Sequence, residues 1–178
     1  MTALDRQANL LGALALVITD QTAEAVAATA GQSASAAAAL SALHHFLDHP
    51  TLDQLHKVLG LTPSGAVRLV DRLADAGLVT RGTGEDGRSR SVVLTDAGQR
   101  VAAQITAARA TLLSSALAEL SPAERETLHS LMSRIMASLV RSKEGGAWIC
   151  RLCDLDACGR PSGHCPAANS AAAKYATR

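Results

Sequence analysis

Aromatic side chains are almost missing from this chain of 178 residues: Phe46, Trp148 and Tyr175 are the only ones. A core without rings must be filled by small and aliphatic groups, and a hydrophobic share of 48% rich in alanine favours closely packed helices. Long apolar runs are lacking too. The longest, Leu10 to Ile18, has nine residues, well short of the ~20 that span a bilayer, so no transmembrane helix is predicted. It also fails as a signal-peptide core, because Asp5 interrupts the basic flank at Arg6 and the apolar positions continue at helical spacing. A cytoplasmic protein is expected. There is no excess of one charge: 17 Lys and Arg balance 16 Asp and Glu, for a net +1. Global attraction to nucleic acid is thereby excluded, and any such affinity must come from local arginine placement and a site doubled by dimerisation. Cysteine, finally, is absent before residue 150. A chain of this length needs no disulfides to hold its core.

What is present reads as a series of capped helices. Leu11, Leu14 and Ile18 share a stripe that continues to Val26 and breaks at Gly31, giving a long N-terminal helix. Ser33 or Ser35 caps a second helix, Ala36 to Leu47, whose alanine face packs closely and which ends near His49 and Pro50. Thr51 with Gln54 forms a reciprocal cap for a short third helix that stops at Gly60. Thr62 and Pro63 start a fourth, running to about Ala76. On it Val67, Val70, Leu73 and Ala74 are assigned to the inner face, and Ser64, Arg68, Asp71, Arg72 and Asp75 to the outer. Leu78 to Thr80 pairs with Ser91 to Leu94 as a hairpin, joined by the charged loop Arg81 to Arg90. Thr95 caps a helix reaching about Leu120; Ser121, Pro122 and Glu124 announce the next, with Leu128, Leu131, Met132, Ile135, Met136 and Leu139 along its stripe. Too few residues remain to cover both terminal helices, so their stripes are assigned to a subunit interface.

The fourth helix and the hairpin have the form of a DNA-reading head. A helix N-terminus offers free amides and a positive dipole end, so Thr62 and Ser64 can meet a phosphate or base edge. Arg68, one turn on, is the first candidate for bidentate guanine readout. Arg72 is assigned to the backbone, and Arg88 and Arg90 at the wing tip to phosphates or the adjacent minor groove. Asp86 orients Arg88 through a short ion pair. The acidic residues Asp71, Asp75, Glu85 and Asp86 nearly neutralise the patch, so binding should depend strongly on salt.

The run LTPSGAVRLVDRLADAGLV from Leu61 to Val79, then EDGRSR from Glu85 and VVLTDAG from Val92, resembles the MarR family of bacterial transcriptional regulators. The resemblance covers residues 1 to about 140. Its specificity lies in recognition helix, wing and following helix cap occurring in order. It implies a homodimer whose terminal helices interlock, a winged module on each side in the major groove of an operator, and a small effector between dimerisation helices and head. It carries over Asp86 and Arg88 directly, while Gly87 stands where the family commonly has proline.

Typical members of that family lack the segment at the C-terminal end, Cys150-x2-Cys153-x4-Cys158-x6-Cys165, which holds all four thiols within sixteen residues. In a reducing compartment such clustering points to metal ligands or redox sensors. A tetrahedral zinc ion and an iron–sulfur cluster satisfy four thiolates equally well, with Gly159 and Gly163 easing the turns. His164 could replace the fourth cysteine, and Asp154 and Asp156 are read as turn residues. His44, His45 and His49 with Asp48 are read as surface or packing groups before a second metal site. A thiol-disulfide oxidoreductase using Cys150 and Cys153 is the remote alternative, and no βαβ pattern surrounds that pair.

The expectation is a mainly α fold: a winged helix-turn-helix with a two-stranded β wing and N- and C-terminal dimerisation helices. Residues 1–32 form the N-terminal dimerisation helix, 33–98 the DNA-binding domain, 99–142 the C-terminal dimerisation helices and 143–178 a cysteine-rich metal-binding appendage. The function expected is that of a non-enzymatic DNA-binding regulator, repressor rather than activator, without a membrane partner. Its affinity would be modulated by the four-cysteine centre, or by a small molecule with zinc purely structural.

Overall fold

Each helix from α1 to α6 begins on a side chain that can satisfy its orphan backbone groups. In the computed structural model, residues 2–83, 90–140 and 145–176 are described, those at 83, 90, 145 and 146 by backbone alone. Thr2 and Asp5 form a reciprocal cap on α1 (Ala3–Ala30), which ends at Gly31 with φ 63°. Ser33 caps α2 (Ala34–His45). Thr51 and Gln54 cap α3 (Leu52–Leu59), and Gly60 closes it in the left-handed conformation. Thr62 caps α4 (Pro63–Asp75) by accepting from the Gly65 amide. Strands β1 (Val79–Thr83) and β2 (Arg90–Leu94) come next, antiparallel, with Val79 opposite Leu94 and Thr83 opposite Arg90. The hairpin therefore pairs further towards its tip than the alternating residues indicate. Then come α5 (Asp96–Leu117), capped by Thr95, and α6 (Pro122–Leu139), with the Ser121–Glu124 cap in place. Two further helices, α7 (Gly145–Ile149) and α8 (Pro166–Tyr175), are not announced by any periodicity in the chain.

Helix α2 is the axis of the fold. Every residue from Ala36 to Leu43 is buried, and α1, α3, α4, the hairpin and α5 contribute Val26, Leu55, Leu69, Val70, Val92 and Ile105 to the core around it. Alanine makes this possible, because a methyl side chain lets neighbouring helices approach closely with no ring to accommodate. The same core corrects the inner face expected for α4. Ala66 and Leu69, with Val70 and Leu73, face inward, whereas Val67 is 39% exposed. The inward stripe passes either side of Val67, because the packing of α4 against α2 and α3 sets which positions are covered.

Residues 145–176 are not an appendage. Leu152 packs against the main core, α7 lies on α3, and α8 lies on α6 and α7. A second small core gathers Val140, Cys165, Ala167 and Ala171 with Met136, Ile149 and Tyr175 at its edge, and Lys174 Nζ donates to the Val140 carbonyl at 2.9 Å. By contrast α6 has no buried residue, and the first half of α1 presents Leu10, Leu14 and Leu16 to the outside. By length and composition α1 is apolar enough to cross a bilayer, which the nine-residue run did not reveal because alanines extend it. In this fold α1 packs on α5 and α2.

Candidate functional site

The reading head is built on α4. Its N-terminus is open, with Pro63 and Ser64 exposed and Thr62 committed to its cap: the Thr62 hydroxyl accepts from the Gly65 amide at 3.1 Å and lies 3.4 Å from the Ser64 hydroxyl. Arg68 and Arg72 stand further along on the exposed face. Neither enters an ion pair among the described residues, so both guanidinium forks are available to a partner. Asp71, on the same helix, does have a partner: Arg81 of β1 donates to its carboxylate. That pair ties the recognition helix to the wing. It was not legible in the sequence, because the two residues meet only once β1 folds back along α4, and the sole signal was an acid and a base ten positions apart. Asp86 and Arg88 lie outside the described residues, as does the Arg90 side chain, whose backbone sits in β2.

The wing is fastened at its base. The Val92 amide donates to the Pro50 carbonyl at 3.0 Å, and Thr51 bridges to Ser91. On the other side the Thr95 hydroxyl donates to the Gly77 carbonyl at 2.7 Å while accepting from the Gly98 amide at 3.0 Å. Gly98 is where α5 meets the hairpin, and a Cβ there would collide with the Leu78 carbonyl oxygen.

The histidines behind the head are structural. His44 Nδ1 pairs with Gln99 Oε1 at 2.7 Å and His45 Nε2 with Thr106 Oγ1 at 2.9 Å, pinning α2 to α5. Burial holds the His45 imidazole below its usual range; the His44 charge adds to that, and Asp154 and Asp156 oppose it.

The four cysteines lie between the end of α7 and the start of α8. All are free thiols, Cys150 and Cys165 buried and Cys153 and Cys158 half-buried. The Cys153 thiol donates to the Ile149 carbonyl at 4.0 Å and the Cys158 thiol to the Leu155 carbonyl at 3.4 Å. The contact with Cys153, then burial, pushes the Cys150 thiol well above the usual range. The same contact lowers Cys153 to about 6, with Arg109, Arg160 and Arg151 favouring its thiolate and burial opposing. Burial, then Cys165 and Cys153, raises Cys158, while the Arg160 amide favours its charged form. The turns are as the residues indicate: Asp154 Oδ1 accepts from the Asp156 and Ala157 amides at 3.0 and 3.1 Å, and Gly159 and Gly163 have φ 65° and 75°. Among the described residues no three His, Cys, Asp or Glu side chains are gathered around one point as a bound metal would need.

Residues 30–89, which span α2 to the wing, match the profile of the MarR family. A MarR family protein from Bacillus stearothermophilus superposes with a TM-score of 0.70 at 22% identity, over 79% of this chain and 99% of its own. A probable transcriptional regulator from Pseudomonas aeruginosa is 28% identical over 70% of this chain and 95% of its own, with a TM-score of 0.55. A mutant MepR from Staphylococcus aureus bound to an oligodeoxyribonucleotide is 18% identical, with a TM-score of 0.56, over 75% and 97%. The fold is that of the MarR regulators. No curated protein matches the sequence. In MarR terms α3 and α4 are the helix-turn-helix and β1–β2 the wing, and the cysteine segment lies outside the matched profile.

Proposed function

We propose that this chain is a cytoplasmic, sequence-specific DNA-binding transcriptional regulator that acts as a homodimer, most simply as a repressor. The observation that carries the reading is the exposed face of α4, where Ser64, Arg68 and Arg72 stand open to solvent beside a wing secured to the same helix through Asp71 and Arg81. Double-stranded operator DNA suits this face, because a helix N-terminus and two arginine forks one turn apart offer base readout and phosphate contact together. Thr62 positions the helix end through its cap, Arg68 reads a base, Arg72 holds phosphate, and Arg88 and Arg90 with Asp86 extend the contact from the wing. The exposed apolar stripes of α1 and α6 support dimerisation. DNA affinity is modulated through the cysteine tail by a zinc ion or an iron–sulfur cluster held by Cys150, Cys153, Cys158 and Cys165.

The test is operator selection followed by titration at two salt concentrations. Arg68→Ala is expected to cost about 1–3 kcal/mol and to relax specificity at one base pair; Arg72→Ala and Arg88→Ala should weaken all sequences alike and flatten the salt slope. Wild-type affinity in all three variants would reject this docking face. Insulin-reduction turnover that depends on Cys150 would favour an oxidoreductase instead.

A second reading draws on a cavity of about 360 Å³ between α1, α2 and the tail, lined by Ile18, Thr22, Val26, Ala38, Leu59 and Leu152, with Arg109 and Arg151 also bordering it. Its size and apolar lining suit a small lipophilic effector. The tail would then serve as a zinc-stapled wall.

A further inference from the structure

Helix α4 carries its charges along its outer side: Arg68, Arg72 and Asp75 are exposed and Asp71 is half-buried. Arg68 and Asp71 stand three positions apart, a spacing at which side chains on a helix are neighbours and opposite charges attract. Left to the helix alone, Asp71 is a partner for Arg68, and the fork assigned to base readout would be occupied within the protein. The fold prevents that pairing. The Asp71 carboxylate accepts from Arg81 of β1, and the Arg68 side chain has no hydrogen bond or ion pair among the described residues.

Arg81 has two advantages over Arg68 as a partner for Asp71. It is presented by a strand in fixed register, opposite Val92. The strand is held close beside it, since a Cβ on Gly82 would lie 2.9 Å from the Ser91 hydroxyl oxygen. The Arg81 side chain is also only 32% exposed, against 49% for Asp71, so this pair is less open to solvent than one between two free side chains along a helix face. Asp75 stands in the same relation to Arg72 with no strand arginine against it among the described residues. The difference matches the roles assigned to the two arginines. A phosphate contact needs charge and tolerates an acidic neighbour, whereas bidentate base readout needs one whole edge of the guanidinium.

We propose that Arg81 is a positioning residue for base readout: by holding Asp71 on the wing side of α4, it keeps the Arg68 fork unpaired for a base edge. The inference rests on the reading of α4 as the DNA-reading helix and adds a determinant of its specificity. Docking on DNA removes water from this face, which strengthens every charge interaction on it. An Asp71 released from Arg81 would then close on Arg68 or be pressed unpaired against phosphate charge, and either outcome costs base discrimination.

Duplexes selected by the intact wild-type chain from a random library, then permuted one base pair at a time at a single salt concentration, give the test. Arg68→Ala identifies the base pair that Arg68 reads, as the position where preference collapses. Arg81→Gln should lose about tenfold of the preference at that same base pair. Asp71→Asn should weaken all duplexes alike, through the wing, while keeping the preference. The double variant Arg81→Gln with Asp71→Asn should regain it, because no carboxylate is left to capture Arg68. A pair that served only to hold the wing would make the double variant no better than either single one. Full preference in Arg81→Gln, or a double variant as indiscriminate as Arg81→Gln, overturns the inference and leaves the regulator reading intact. A wild-type chain that selects no sequence overturns the regulator reading and this inference with it.

Discussion

His45 carries a pH response that its neighbours dictate. Half-buried at the end of α2, it bonds Thr106 and faces His44 on its own helix and Asp154 and Asp156 from the tail. Burial and His44 together prevail, so the folded chain holds its pKa below the ordinary value of 6.5. A base with a depressed folded pKa stabilises the fold fully above its unfolded pKa, and that contribution is lost as pH falls through the folded one. Melting temperature should therefore drop between about pH 7 and pH 5 by more in the wild type than in His45→Gln, which can keep the Thr106 bond without titrating. Parallel pH profiles for the two proteins would remove His45 from the account.

At the scale of elements, the junction between hairpin and α5 leaves no room for a side chain at Gly98. The Thr95 amide donates to the Leu78 carbonyl at 3.1 Å, and Gly98 lets the first turn of α5 come down on that same carbonyl. Gly98→Ala places a methyl against backbone that cannot rotate away. A loss of about 3 kcal/mol is expected, at the upper end of overpacking costs, against the gain of about 1 kcal/mol that alanine brings to an unobstructed helix position. Urea unfolding measures it, and a stabilised variant would show that α5 is free to lift. The Asp71–Arg81 pair is a different kind of tie, part exposed and screened by solvent. Its contribution is to wing orientation, since an exposed pair adds only about 0–1 kcal/mol to stability.

Over the whole molecule, the largest unsatisfied feature is apolar surface with nothing on it. Leu10, Leu14 and Val17 on α1, and Leu131, Ile135 and Leu139 on α6, are each at least two-fifths exposed, more than a stable monomer ordinarily leaves in continuous stripes. In the proposed homodimer a second copy would cover them and join two reading heads, as a chain of net charge +1 requires for useful affinity. Leu14→Glu combined with Ile135→Glu should weaken self-association at least about 100-fold, read by sedimentation, and should weaken operator binding with it. An unchanged sedimentation coefficient would place the interface elsewhere. In that proposed dimer the tail, which packs on α6 through α8 and on α3 through α7, would connect the interface stripe to the head.

The punctuation of this fold was legible in the residues. Ser33, Thr51, Thr62, Thr95 and Ser121 cap the helices they precede, and Gly31 and Gly60 end theirs, because caps and left-handed stops are local chemistry settled within a few residues. The recognition helix and the base of the wing were legible for the same reason, as was the buried alanine face of α2. Contacts between segments distant in the chain were not. Val67 lost its inward place to Ala66 and Leu69 because the seating of α4 against α2 and α3 decides which stripe is buried. Arg81 found Asp71, and His45 found Thr106, only through the return of the hairpin and of α5. The clustering of four cysteines was written into the chain, since sixteen residues cannot keep them apart. Their position against the reading head belongs to the packed molecule, because the surface they dock on is assembled from α3, α5, α6 and α8, and no short stretch of chain contains it.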